Sequence, residues 1–244
     1  MENLIIPDWP APNNIKAFTT TRLNGVSPAP FQSFNLAHHV GDALENVLHN
    51  RTTLKKNLQL PSDPVWLNQV HSNRINHLDI NDNLETADGA YTTQKNKICV
   101  ILTGDCLPIL LCDKTGTEIA AVHGGWRGLV SGVIESALAY FNNSPDQIYA
   151  WLGPAIGPKV YEVGDDVRDQ FVAVDKNAQL AFESIKESKW LANIYLLAQQ
   201  RLQKCGVNEI FGGNFCTYTD KEKFFSHRRD KETGRMANLI WIQE

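Results

Sequence analysis

His71, Cys106 and His123 are the residues whose types and settings in this chain point most directly to chemistry. His71 closes the segment Val65-Trp66-Leu67-Asn68-Gln69-Val70-His71. Cys106 lies in Thr103-Gly104-Asp105-Cys106-Leu107-Pro108, and His123 opens His123-Gly124-Gly125-Trp126-Arg127-Gly128. Two imidazoles and a thiolate make a three-ligand set for zinc, with a fourth position left for water or substrate, as at a catalytic metal rather than a structural one. The gaps between the three match no compact zinc motif, so the set depends on the fold bringing them together. Cys106 follows a charge, Asp105, where a plain core strand would continue. Gly124-Gly125 permits close backbone approach after His123. A helix expected near Leu129 offers free amides to an anion, and Arg127 at that corner either clamps a phosphate or carboxylate or forms a surface ion pair. A metal-free alternative makes Cys106 a nucleophile with His123 or His71 as its base.

The elements that must position these groups follow from hydrophobic spacing. A strand is expected at residues 15–20, and a helix over 43–58, capped by Asp42. Strands are expected at 65–70, 98–102, 109–112, 118–122 and 147–152, with a turn at Thr115-Gly116 and a stop at Gly153-Pro154. A helix is expected over 129–141, and two or three helices over 165–205, the last ending at Gly206. Short strands at 210–211 and 239–242 close the chain. Without strict βαβ alternation, the pattern favours an α/β (α+β-like) fold, with mixed or paired sheets flanked by helices, over a doubly wound parallel one. No linker or repeat divides the 244 residues, so one domain over 1–244 is expected.

Composition excludes several roles. Hydrophobic content of 43% and charged content of 20% are ordinary for a globular protein with a substantial core. A formal net charge of -4 argues against a general nucleic-acid binder. The most apolar stretch, residues 98–112, is broken by Gly104, Asp105 and Pro108 and is too short for a membrane span. The N-terminal residues 1–7 carry no basic region and no long apolar core, so no secretory signal is expected. Five cysteines without a CxxC pair then read as reduced thiols in a cytoplasmic protein.

Read together, these segments resemble the YfiH family, also called the laccase-domain or polyphenol-oxidase-like family. The resemblance runs through Thr20-Thr21-Arg22 with Gly25-Val26-Ser27, Asn35-Leu36 with His39 and Gly41-Asp42, and Asn50-Arg51. It continues through Gln69-Val70-His71, Asp105-Cys106-Leu107-Pro108, His123 with Gly125-Trp126-Arg127-Gly128, and Leu152-Gly153-Pro154-Ala155-Ile156-Gly157-Pro158. Arg228-Arg229-Asp230 and Thr233-Gly234-Arg235 complete it. The resemblance implies that His71, Cys106 and His123 are metal ligands, in an α/β sandwich of mixed sheets with outer helices. It implies phosphorolysis of purine nucleosides such as adenosine, inosine and methylthioadenosine, with adenosine deamination as a second activity. Copper polyphenol oxidation and peptidoglycan-precursor editing are also associated with such proteins. Gly104 and Gly124 stand where the pattern commonly has Ala, which implies a looser backbone or a wider site.

Deamination would use a zinc-bound hydroxide, with Asp105 either shuttling the proton or only anchoring its turn. Phosphorolysis needs an anion holder, for which Arg22, Arg51 and Arg127 are candidates. Arg22, Asn35, Arg51, Asp105 and Arg127 are therefore the expected substrate-binding residues, and zinc, with copper as the alternative, the expected cofactor. His39 sits in a turn-rich polar stretch suited to face a cleft. A multicopper laccase would need a further His-rich cluster, and seven histidines without a His-x-His pair do not supply one.

Overall fold

The structure, a computed structural model, describes residues 4–80 and 86–244. Residues 1–3 of the N-terminal segment that argued against secretion lie outside it. In chain order the strands are β1 (Leu4–Ile5), β2 (Ile15–Thr20), β3 (Ile75–His77), β4 (Gly89–Thr92), β5 (Cys99–Thr103), β6 (Leu107–Asp113) and β7 (Ile119–Gly124). β8 (Ile148–Leu152), β9 (Glu162–Gly164), β10 (Phe182–Lys186), β11 (Lys189–Ala192), β12 (Glu209–Gly212) and β13 (Met236–Ile242) follow. The helices are α1 (Leu44–Leu58), α2 (Trp126–Val130), α3 (Val133–Leu138), α4 (Asp165–Val174), α5 (Ile194–Lys204) and α6 (His227–Asp230).

Period-two alternation along the central strands makes a layered core. Leu107, Ile109 and Leu111 of β6 face one way with Ala120 and Val122 of β7, into a cluster shared with Leu129, Ile134, Phe171 and Leu197 of α2 to α5. Leu110 and Cys112, with Ile119 and Ala121, face the other way and meet Ile15, Ile101 and Ile240 of a second sheet. The far side of that second sheet, carrying Val100, Leu102 and Leu239, packs on Leu54 of α1 and on Phe34 and Leu36. The result is helices, six-stranded sheet, four-stranded sheet, helix. The six-stranded sheet runs β12-β8-β6-β7-β4-β3 with parallel pairs at both edges; the four-stranded sheet, β1-β2-β13-β5, is antiparallel throughout. The expected mixed α/β sandwich is what forms.

Several local expectations are corrected. The helix expected over 129–141 starts earlier, at Trp126, and breaks at Gly132 (φ +89°), where the Ser131 hydroxyl donates back to the Arg127 and Gly128 carbonyls. Asp42 does not cap α1. Ala43 is at the N-cap without a side-chain bond, because Asp42 accepts instead from Ser27, Asn35 and Asn46 side chains. Residues 65–70 make only isolated bridges at Val65 and Asn68. There the Gln69 amide takes the place of a strand backbone, donating to Leu102 O at 2.9 Å and accepting from Leu102 N at 2.7 Å. The all-helical expectation for 165–205 misses the hairpin β10–β11, which with β9 forms a third, antiparallel sheet. Four of the five β10 residues are exposed, so no buried stripe announced the strand.

Leu110, fully buried between the two large sheets, and Leu180, 72% exposed, give a calibrated pair. Leu110→Ala is expected to lower the unfolding free energy by about 2–5 kcal/mol in urea titration, and Leu180→Ala by no more than about 0.5 kcal/mol.

Candidate metal centre and its pocket

Cys106 and His123 are brought together by strand register. The antiparallel pairing of β6 and β7 sets Leu107 opposite Gly124 and Pro108 opposite His123, so the residue entering β6 and the residue near the end of β7 share one end of the hairpin. By parity His123 lies on the face of Ile119 and Ala121, at the margin of the layer between the two sheets. It is 4% exposed. His71 arrives on a loop, in a left-handed backbone conformation (φ +61°). Its Nε2 lies 3.7 Å from Cys106 Sγ, and its ring meets that of His123 edge-on at 4.8 Å.

Asp88, immediately before β4 and fully buried, is the residue that assembles the three. Its Oδ1 accepts from His71 N at 2.9 Å and pairs with His123 Nδ1 at 2.8 Å. Its Oδ2 accepts from Val70 N, Ser72 N and Ser72 Oγ at 3.2, 2.6 and 2.7 Å. One carboxylate therefore ties the His71 loop to the sheet and turns His123 so that Nε2 faces the sulfur. Sequence reasoning missed it. The available signal was an acid placed where a fully buried strand begins.

Gly125 completes the approach: a Cβ there would lie 2.7 Å from His71 Cδ2 and 3.4 Å from Cys106 Sγ. The expectation that Gly124-Gly125 serves close backbone approach holds at this residue.

The electrostatics follow from burial and pairing. Burial opposes ionisation of the Cys106 thiol, yet the charge of His123 and hydrogen bonds with both rings outweigh it and bring the thiol down to about 6. Burial likewise opposes charge on His123, but the Cys106 thiolate and Asp88 together raise it. Asp88 is held at about 2: burial works against its charge, and the hydrogen bonds from His123 and Ser72 prevail.

The donor set fits a metal ion. One ligand atom from each of His71, Cys106 and His123 falls within 4.8 Å of the others. The thiol is disposed to be a thiolate, and His123 has the carboxylate partner on its second nitrogen that metal-bound imidazoles commonly have. Beside Cys106 opens a mostly apolar pocket of about 140 Å³, walled by Trp126, Ile156, Tyr161 and Ile194, with His227 and Arg228 adding polar groups.

The other expected site residues divide. Asp105 lines this pocket, in a strained backbone (φ +106°), but both its oxygens are engaged, by Thr217 Oγ1 and Arg228 N at 2.6 Å each. Arg127 is exposed, its guanidinium 4.3 Å from the Trp126 ring centre. Arg51 stacks 3.8 Å over Trp66 and donates twice to Leu36 O. Asn35 is buried, donating to Ala37 O and Asp42 and accepting from Ala37 N and Arg235 N. Arg22 borders a separate pocket of about 460 Å³ with Gln32, Lys221 and Arg229. Tyr161 and Ile194 in the Cys106 pocket carried no sequence signal.

A methyl at Gly104 would lie 3.0 Å from Arg235 Cδ, and one at Gly124 2.9 Å from Leu107 O, so neither position borders open space.

The sequence matches the pattern of the multi-copper polyphenol oxidoreductase laccase family over residues 16–243. It is 51% identical over 241 residues to a Haemophilus influenzae protein named purine nucleoside phosphorylase, covering 98% of this chain and 99% of that one. It is 49% identical over 243 residues to Escherichia coli purine nucleoside phosphorylase YfiH, covering 99% and 100%. The crystal structure of a Neisseria meningitidis protein superposes with TM-score 0.95 at 42% identity, over 99% of this chain and 100% of that one. A Bacillus licheniformis protein titled hypothetical protein YfiH does so with TM-score 0.94 at 29% identity, over 100% and 97%.

Two outcomes are expected. Asp88→Asn lowers zinc affinity about 10–100-fold in competition with a chromogenic chelator. In chelator-treated protein, the alkylation rate of Cys106 stays on its plateau at neutral pH and falls only as pH drops through about 6. Burial raises Cys205, which therefore reacts only at alkaline pH, so rates resolved by mass spectrometry distinguish the two thiols.

Proposed function

This chain belongs to the multi-copper polyphenol oxidoreductase laccase family, and from that premise we propose that it is a zinc-dependent purine nucleoside phosphorylase. One catalytic domain over 1–244 would convert adenosine, inosine or methylthioadenosine and inorganic phosphate into free base and the sugar 1-phosphate. The observation that carries the reading is the convergence of His71, Cys106 and His123 within 4.8 Å at the edge of an apolar pocket. The relatives named purine nucleoside phosphorylase match it over nearly their whole length.

His71, Cys106 and His123 would hold the ion, and bound zinc supplies Lewis acidity and a lowered pKa for coordinated water. The chain's own groups do the rest. Trp126 and Tyr161 give a planar base two aromatic walls, with Ile156 and Ile194 keeping water from it. His227 and Arg228 are placed to meet the base's polar edge or the sugar. Asp88 keeps a proton on His123 Nδ1 and leaves Nε2 for the ion. We assign adenosine deamination as a second activity of the same pocket. Asp105 reaches a proton-carrying role there only by releasing Thr217 or the Arg228 amide.

A second reading has its own support. A depressed Cys106 thiol beside a raised His123, itself oriented by Asp88, is also the order of a thiol hydrolase: nucleophile, base, orienting carboxylate. Such an enzyme would cleave an amide, for instance in a misassembled peptidoglycan precursor, without metal.

Metal analysis combined with turnover decides. Purified protein is expected to hold one zinc and to release adenine and ribose 1-phosphate from adenosine only when phosphate is present. Cys106→Ser is expected to lose zinc and about 10²–10⁴-fold in rate. Amide hydrolysis that survives chelation and stops on Cys106 alkylation would move the assignment to the thiol enzyme. Dye oxidation that requires copper would move it to the oxidase.

A further inference from the structure

A second set of charged groups gathers beside the Cys106 turn, and the apolar pocket does not use it. The segment at residues 35–39 is its hub. Leu36 O accepts both Nε and Nη2 of Arg51, at 3.0 and 2.8 Å. Asn35 Oδ1 accepts from Arg235 N at 3.0 Å, and Leu36 N donates to Arg235 O. His38 and His39 follow directly, their rings edge-on at 5.5 Å. Arg235 in turn lies against Gly104, the residue that also lines the Cys106 pocket, with Cδ 3.0 Å from where a methyl would stand. Arg51, Arg235 and His38 are thus gathered closely enough for all three to act electrostatically on His39, with Arg235 against the Cys106 turn.

Cys106 and Asp105 act electrostatically on Arg235, but from beyond ion-pair distance. Among the described residues, Arg51, Arg235, His38 and His39 take part in no ion pair. The hydrogen bonds the two arginine side chains make go to backbone carbonyls: Leu36 for Arg51, and Thr233 and Gly234 for Arg235 Nη1. Those bonds fix the planes of both forks and leave Arg51 Nη1 and Arg235 Nε and Nη2 with donors to spare. Asp42, just after His38 and His39, spends both oxygens on Ser27, Asn35 and Asn46.

We propose that Arg235, Arg51, His38 and His39 form the anion seat of this enzyme, holding the phosphate co-substrate beside the Cys106 pocket that takes the nucleoside. The identity of the anion rests on the phosphorylase reading. The seat itself rests on two guanidiniums held by backbone carbonyls with no ion-pair partner among the described residues, each fork being suited to the oxygens of a phosphate. Burial lowers Arg235 and His39 and brings Arg51 down to about 10, and the arginines' charge adds to the effect on His39. A bound dianion offsets that penalty. Arg235 is then a substrate-positioning residue outside the set expected from sequence, where Arg22, Arg51 and Arg127 were the anion candidates.

The test reads binding without turnover in the zinc-loaded full chain. Inorganic phosphate is titrated into wild type, Arg235→Gln and Arg51→Gln, followed by phosphorus NMR, with zinc content and circular dichroism confirming each fold. Arg235→Lys stands in should Arg235→Gln not fold. The dissociation constant for phosphate is expected to rise about tenfold or more in the glutamine variants, while that for inosine alone changes less than about twofold. Phosphate binding of undiminished strength in both variants overturns the seat, as does a wild type that does not bind phosphate. Adenosine monophosphate separates the sources of the anion. If it binds far more tightly than adenosine and loses that gain in the variants, the occupant is a substrate-borne phosphate and the co-substrate assignment falls. If wild type binds phosphate but releases no base with it, the phosphorylase reading fails while the seat stands.

Discussion

The carboxylate of Asp88 is the constraint on which the candidate centre depends. A buried acid is tolerated only when its oxygens are satisfied, and here five donors from two separate parts of the chain satisfy them. Three of those donors are successive backbone amides of the His71 loop, a piece of chain with no ladder of its own. The fifth is the His123 ring on a central strand. The same group therefore closes a loop, orients the His123 ring and joins the Cys106 thiolate in favouring charge on it. Removing the negative charge would loosen all three at once, which makes this residue a different kind of part from the ligands it serves.

Beyond that anchor, ordinary sheet geometry does much of the positioning. Cys106 and His123 sit at the open end of a hairpin whose register is fixed by two cores, one on each face. A slip of one residue would turn Leu110 and Cys112 towards the helices and the Ile109 row towards the second sheet. The packing that stabilises the fold is thereby the packing that keeps a sulfur and an imidazole in reach of each other. His71, on a loop, has no such guarantee and needs Asp88 in its place.

The sequence made the donors legible and left their supports hidden. His71 and His123 stood out as imidazoles closing apolar runs, and Cys106 because the charge of Asp105 just before it breaks one. The strands at 15–20, 98–102 and 147–152 were legible because β-branched and aromatic residues repeat there with little interruption. Residues 65–70 looked like a strand for the same reason, but Gln69 bonds Leu102 through its side chain, a substitution that periodicity cannot distinguish from a true ladder. The β10–β11 hairpin escaped because four of the five β10 residues are exposed and no buried stripe marks the strand. Asp88 and Tyr161 were invisible for another reason: each meets residues remote in the chain, and local pattern carries no record of that.

The bonds that converge on Asp88 are made entirely by protein groups, so the shape of the centre does not have to be induced by an ion. In small zinc-stabilised folds the metal is part of the folding reaction, and chelation unfolds the chain. Here three large hydrophobic clusters and the Asp88 bonds hold the chain together, so folding does not hinge on an ion.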